Sequence, residues 1–103
     1  AVAVAKHNGV DPKLLLDTLS KGSADSFALR NHGMKAIVPG VFPERAFSTE
    51  YALKDLSYAL ELAADAGIAI RGAELIGTVL QEAIDKGSKD NYFPVIAKHI
   101  DKA

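Results

Sequence analysis

The sequence predicts an all-α fold, a compact bundle of five or six helices. Three observations carry that reading. Apolar residues recur at i, i+3, i+4 and i+7 in several segments, the period of a half-buried helix. No stretch alternates apolar and polar residues over a strand's length. The periodic segments are bounded by residues that start or stop helices, and no internal repeat links them.

The first segment runs Ala1-Val2-Ala3-Val4-Ala5-Lys6-His7-Asn8-Gly9. No Ser, Thr, Asp or Asn precedes its apolar residues as a cap, yet Lys6, His7, Asn8 and Gly9 read as a helix C-terminus. A helix with an end and no beginning predicts a chain cut from a longer protein. Asp11-Pro12 starts the next helix, with Asp as N-cap and Pro at the first helical position. Leu15, Leu16 and Leu19 give its apolar stripe, and Lys21-Gly22 closes it. The polar loop Ser23-Ala24-Asp25-Ser26 leads into a weakly patterned helix over 27–34 that contains Gly33. Pro39, Gly40 and Pro43 then exclude a long regular element between Ala36 and Ala46.

Ser48 caps the best-patterned helix, with Glu50 in its first turn, where the helix dipole favours a negative charge. It runs to about Gly67. Ala52, Leu53, Leu56, Ala59, Leu60 and Ala63 form one broad apolar face, and Tyr51, Tyr58 and Leu62 recur on the other side. Apolar groups on two sides predict a central helix covered on two sides. Ile68-Ala69-Ile70 is a short extended connection. A further helix runs from about Gly72 to Lys86, with Ile76, Val79, Leu80, Ala83 and Ile84 on one face and Gly87 after its end. The last helix starts near Asn91, tolerates Pro94 in its first turn, and buries Phe93, Ile96, Ala97 and Ile100.

Composition narrows the function classes. The 103 residues suit one domain with one core, and 49% of them are hydrophobic. Twelve Lys and Arg against thirteen Asp and Glu leave a net charge of −1, which gives no basic excess for nucleic acid. The absence of cysteine excludes a disulfide scaffold and thiolate metal sites, and fits a reducing, cytoplasmic setting. No apolar run approaches the about 20 residues that cross a bilayer, so no membrane association is expected.

Few groupings could carry chemistry. His7, His32 and His99 share no metal-ligand spacing and read as solvated surface residues, so no metal site is expected. No phosphate-cradling glycine loop and no Gly-x-Ser-x-Gly elbow is present. Ser26 reads as the cap of the helix after it, and Ser23 and Ser26 as possible ligand donors. Lys54 stands out. Tyr51 lies three residues before it and Tyr58 four after, so two amphipathic rings share its face. Such a lysine either reaches past the rings to water or points into a cleft where a second domain docks. Asp55 lies about 100° round the helix, so the two do not form a simple surface ion pair.

The segment from Phe47 to Ala63 resembles the cofactor-contacting motif in the C-terminal domain of β-hydroxyacid dehydrogenases, a group including 3-hydroxyisobutyrate dehydrogenase, tartronate semialdehyde reductase and 6-phosphogluconate dehydrogenase. The family pattern reads roughly Lys-Asp-Leu-Gly-x-Ala-x-Asp. Lys54, Asp55, Leu56 and Ala59 match it, Ser57 replaces the glycine and Glu61 stands for the aspartate. Asn8-Gly9-Val10-Asp11-Pro12 resembles the exit from the family's interdomain helix, residues 22–29 its Gly-Ser/Ala-rich loop, and residues 64–68 its usual helix ending. Tyr92 departs from the pattern, which usually places an aspartate before the Phe at position 93.

The resemblance implies one helical C-terminal domain over 1–103, with 1–9 as the end of the interdomain helix and the Rossmann domain outside this chain. It implies Lys54 as the lysine that approaches the nicotinamide cofactor, NAD or NADP, with Phe47 and Asp55 shaping the cleft. No catalytic residue is expected in this chain: the family's catalytic lysine lies upstream of Ala1, and Lys6 stands too near the helix end. A small 3-hydroxy acid substrate, a homo-oligomer such as a dimer, and an inactive isolated chain follow. The alternative is a stand-alone helical interaction module without catalysis.

Overall fold

The computed structural model describes residues 1–101 and is all-α, as the periodicity predicts. Its elements are α1 (Val2–His7), α2 (Pro12–Leu19), the wide-turned helix π1 (Leu29–Ile37), α3 (Thr49–Asp65), α4 (Arg71–Ala83) running on into π2 (Ile84–Ser88), and a 3-10 turn (Phe93–Val95) running on into α5 (Ile96–Asp101). Counting continuous runs, these make six helical bodies among the described residues. No strand joins them there. Two isolated antiparallel bridges, Glu44 with Asn91 and Ser48 with Tyr92, are the extended pairings.

The helix boundaries follow local chemistry. The Asp11 side chain accepts the Lys13 amide at 3.3 Å with Pro12 at the first position, and the Ser48 hydroxyl accepts the Tyr51 amide at 3.1 Å. Gly9 (φ +78°) and Gly67 (φ +71°) end α1 and α3 in the left-handed region. There Val10 N–H donates to the Ala5 carbonyl, and Ile68 N–H to that of Ala63, each closing the wider ring that finishes a helix on glycine.

The helix read over 27–34 extends to Ile37, and its turn is wider than α: the Val38 amide donates to the Gly33 carbonyl, five residues back. Gly33 is buried against Leu16 of α2, and a Cβ built on it would stand 3.0 Å from Leu16 Cδ1. The interior is thin. Leu16, Ala36, Leu80, Ala83 and Val95 are its buried apolar residues. The Cα radius of gyration, 14.6 Å, exceeds the about 13 Å of a compact 100-residue domain, and the extents of 43 × 32 × 24 Å describe a flattened body.

The expectation of a central helix covered on two sides is corrected by this shape. Helix α3 packs on α4 through Leu56 and Leu60, which lie over Gly77, while Tyr51, Tyr58 and Leu62 on its other side are exposed. Two sides are apolar, but the described residues cover one of them. Within the first face Ala59 is exposed too. Ile76 and Ile100 also lie at the surface rather than in the core, while Pro94 and Val95 are buried beside the half-buried Phe93. Among the described residues, no helix is long and apolar enough to cross a membrane.

Candidate functional site

The N-terminal end of α3 carries the candidate site, and a loop hung from a distant segment builds it. Residues 42–49 are stitched to 89–93 by backbone and side-chain bonds. Tyr92 N–H donates to the Pro43 carbonyl and Phe93 N–H to that of Phe47, each at 2.9 Å. Thr49 sends both its amide (2.9 Å) and its hydroxyl (3.1 Å) to the Asn91 carbonyl, and the Asn91 amide group donates to the Phe42 carbonyl at 2.9 Å. Thr49 is fully buried by this stitching, and its hydroxyl is satisfied there. A polar residue thus sits at the least accessible point of α3.

The loop also holds Arg45 at φ +63°, the left-handed region that a non-glycine residue enters at a cost of about 1 kcal/mol or more. Arg45, Ala46, Phe47, Ser48 and Tyr51 line a shallow, open depression. Two of its lining residues are aromatic, and their rings continue inward edge to face. Phe47 meets Tyr51 with centroids 5.1 Å apart and Phe93 at 5.6 Å, and Phe93 meets His32 at 4.8 Å. Contacts of this kind contribute about 0.5–1.5 kcal/mol each beyond the area they bury. At the outer end the Lys54 ammonium lies 5.8 Å from the Tyr51 ring centroid.

The structure therefore brings Lys54 and Phe47 together through Tyr51. Asp55 is not brought to the depression: its side chain is exposed, turned about 100° from Lys54, and joins neither a hydrogen bond nor an ion pair among the described residues. Of the two tyrosines flanking Lys54, the ring it lies over is that of Tyr51. Arg45 was not legible as a site residue, because nothing in its sequence neighbourhood signals a left-handed arginine.

The histidines correct the reading of three solvated residues. Only His7 is exposed; its Nε2 lies 2.7 Å from the Asp101 carboxylate, which also accepts the Lys6 ammonium at 2.7 Å. His32 is half-buried, with Nδ1 hydrogen-bonded to the Tyr92 hydroxyl and its ring against Phe27, Tyr92 and Phe93. His99 is half-buried, with Nε2 2.7 Å from the Ser88 hydroxyl. A partner 60 residues away draws the His32 ring inward, and one 11 residues away meets that of His99. No group of three His, Cys, Asp or Glu suited to a metal ion occurs among the described residues. Ser26 accepts the Leu29 amide at 3.0 Å, so it caps the turn into π1.

A second depression, between α3 and α4, is lined by Leu53, Leu60 and Gly77 together with the carboxylates Glu74, Glu82 and Asp85. Its charges repel anions. The Phe47 depression presents the opposite character: it is lined by two aromatic rings and Arg45, with Lys54 over the Tyr51 ring, and neither exposed cation is ion-paired among the described residues. Aromatic surface beside unpaired cations suits a flat heteroaromatic ring that carries phosphates.

Comparison with known proteins agrees on the fold. A crystal structure of 3-hydroxyisobutyrate dehydrogenase from Salmonella typhimurium superposes with a TM-score of 0.87 at 18% identity. The match covers 95% of this chain and 34% of that one, so the chain spans about a third of the enzyme's length and shares its helical fold. No curated protein matches the sequence. The family model for the NAD-binding domain of NADP-dependent 3-hydroxyisobutyrate dehydrogenase matches residues 1–100. On that match across nearly its full length, the chain belongs to this dehydrogenase family.

Proposed function

We propose that this chain is the helical side of the cofactor and substrate cleft in an NAD(P)-dependent 3-hydroxy acid dehydrogenase, completed by a dinucleotide-binding domain outside the chain. The observation that carries the proposal is Lys54, an exposed cation standing over Tyr51, whose ring lines the depression with Phe47. Phe47, Tyr51 and Lys54 would hold a nicotinamide dinucleotide, which would supply hydride-transfer chemistry toward the hydroxyl-bearing carbon of a small 3-hydroxy acid. This chain's part is binding and shielding. The Lys54 ammonium meets negative charge on the ligand, and the Phe47 ring covers a flat face and keeps water away. The acid/base group lies on another part of the enzyme, so the isolated chain is inactive. The whole enzyme is a cytoplasmic homo-oligomer, and the apolar side of α3 (Tyr58 and Leu62) faces another domain or subunit in it.

Steady-state kinetics of Lys54→Ala in the full-length enzyme test this. The Michaelis constant for the dinucleotide is expected to rise about tenfold, the scale of one charge-assisted contact, with the thermal midpoint unchanged because Lys54 is exposed. Unchanged kinetics with both NAD and NADP would remove Lys54 from the site.

A further inference from the structure

His32 lies far from Lys54 in sequence, and two observations connect it to the cleft. The first is its bond: Nδ1 pairs with the Tyr92 hydroxyl, across 60 residues. The second is what Tyr92 holds. Its amide donates to the Pro43 carbonyl, it forms the bridge with Ser48, and the next amide, from Phe93, donates to the Phe47 carbonyl. The loop bearing Arg45 and Phe47 therefore hangs on Tyr92 and Phe93. The only side-chain hydrogen bond to Tyr92 among the described residues comes from His32. The imidazole also contacts Phe93 edge-on at 4.8 Å, and Phe93 contacts Phe47 at 5.6 Å.

The imidazole is itself firmly placed. His32 precedes Gly33, the residue that lets π1 approach Leu16 of α2, and the wide turns of π1 set which way position 32 faces. Wide helical turns occur often at functional sites because they redirect single side chains. We propose that His32 is a positioning residue for the cleft: through Tyr92 it fixes the loop that carries Phe47, and so the ring stack beneath Lys54. It touches neither cofactor nor substrate. The proposal rests on the function given above for the Phe47–Lys54 site.

The test uses the full-length enzyme, four single variants and one double variant. His32→Phe keeps a flat ring for the Phe27, Tyr92 and Phe93 contacts and deletes the hydrogen bond. Tyr92→Phe deletes the same bond from the other side. His32→Asn places an amide where Nδ1 stood and restores a partner for the hydroxyl. Lys54→Ala reports on the site itself. His32→Phe and Tyr92→Phe are each expected to raise the Michaelis constant for the dinucleotide about three- to tenfold at unchanged kcat, the scale of one neutral hydrogen bond, with His32→Asn returning most of the loss. The double variant His32→Phe/Tyr92→Phe should cost no more than either single one. Three outcomes overturn the proposal. If Lys54→Ala raises the constant and His32→Phe does not, positioning fails while the site stands. If Lys54→Ala has no effect, both fall together. If kcat, the Michaelis constant and the thermal midpoint all worsen without rescue by Asn, the role of His32 is general folding.

Discussion

Gly33 and Leu16 meet at the closest side-chain approach any glycine makes in the described structure: a Cβ on Gly33 would stand 3.0 Å from Leu16 Cδ1. Leu16 is 5% exposed and sits in the thin interior, so its side chain has little room to give. Gly77 of α4 differs: a Cβ there would meet Leu56 and Leu60 at 3.6 and 3.9 Å, ordinary van der Waals distances. The two glycines therefore predict opposite signs. Gly33→Ala gains helix propensity but overpacks, and should destabilise the chain by about 1 kcal/mol net. Gly77→Ala gains propensity and contact, and should stabilise it by about 1 kcal/mol. Chemical denaturation of both variants, read at unchanged slope, checks the pair; equal signs would reject the packing argument.

The cap at Ser48 should matter more than an average surface serine. Its hydroxyl accepts the Tyr51 amide, and the same residue pairs with Tyr92 at the bridge that hangs the cleft loop. Ser48→Ala is expected to cost about 1 kcal/mol, lowering the thermal midpoint by about 4–8 °C. Ser48→Asp, which can accept the same amide, should recover most of the loss. Circular dichroism melts of the two variants distinguish a lost cap from a general loss of packing, since the latter would hurt both.

Much of this fold is legible in the sequence because its signals are local. Asp11-Pro12 and Ser48 start helices through their own side chains, and Gly67 ends one through its own backbone. The motif lysine and its tyrosine are three residues apart on one helix, so their meeting follows from helical spacing. The wide turns of π1 are not legible, because a bond to the fifth residue back rather than the fourth leaves no compositional trace; close approach to α2 accompanies it. The inward placement of His32 depends on Tyr92, 60 residues away. The second apolar side of α3 was legible as a surface wanting cover, but its cover is not supplied by these residues.

Acid should loosen the join between the first and last helices. The Asp101 carboxylate accepts Lys6 Nζ and His7 Nε2, both from α1. The Lys6 ammonium first, and His7 second, hold its pKa below the ordinary value of 3.8. A carboxylate whose folded pKa is depressed contributes stability that is fully present above the unfolded value and lost as pH falls through the folded one. The wild-type chain should therefore be more stable than Asp101→Asn at neutral pH, with the difference shrinking below about pH 4. Denaturation midpoints followed into acid check this, and a difference independent of pH would rule out the ion pair as its source.

Separated from any partner, the chain should self-associate through apolar contact. Leu62 is 70% exposed on α3, Phe27 68% before π1, and Ile68 and Leu75 are also largely exposed near the α3–α4 turn. Exposed large apolar side chains favour association, and a net charge of −1 supplies little repulsion to keep copies apart. Sedimentation velocity across a concentration series should show the mean mass rising with protein concentration. Because the attraction is apolar, sulfate should strengthen it, whereas an ion-paired contact would weaken as salt screens it. Leu62→Lys and Leu75→Lys remove exposed apolar surface and add like charges, so each should shift the distribution toward monomer without changing the helical signal. A wild-type chain that stays monomeric at high concentration would show that these side chains cover one another less sparingly in solution than their exposure indicates, and would remove the reason to seek a second surface against the outer side of α3.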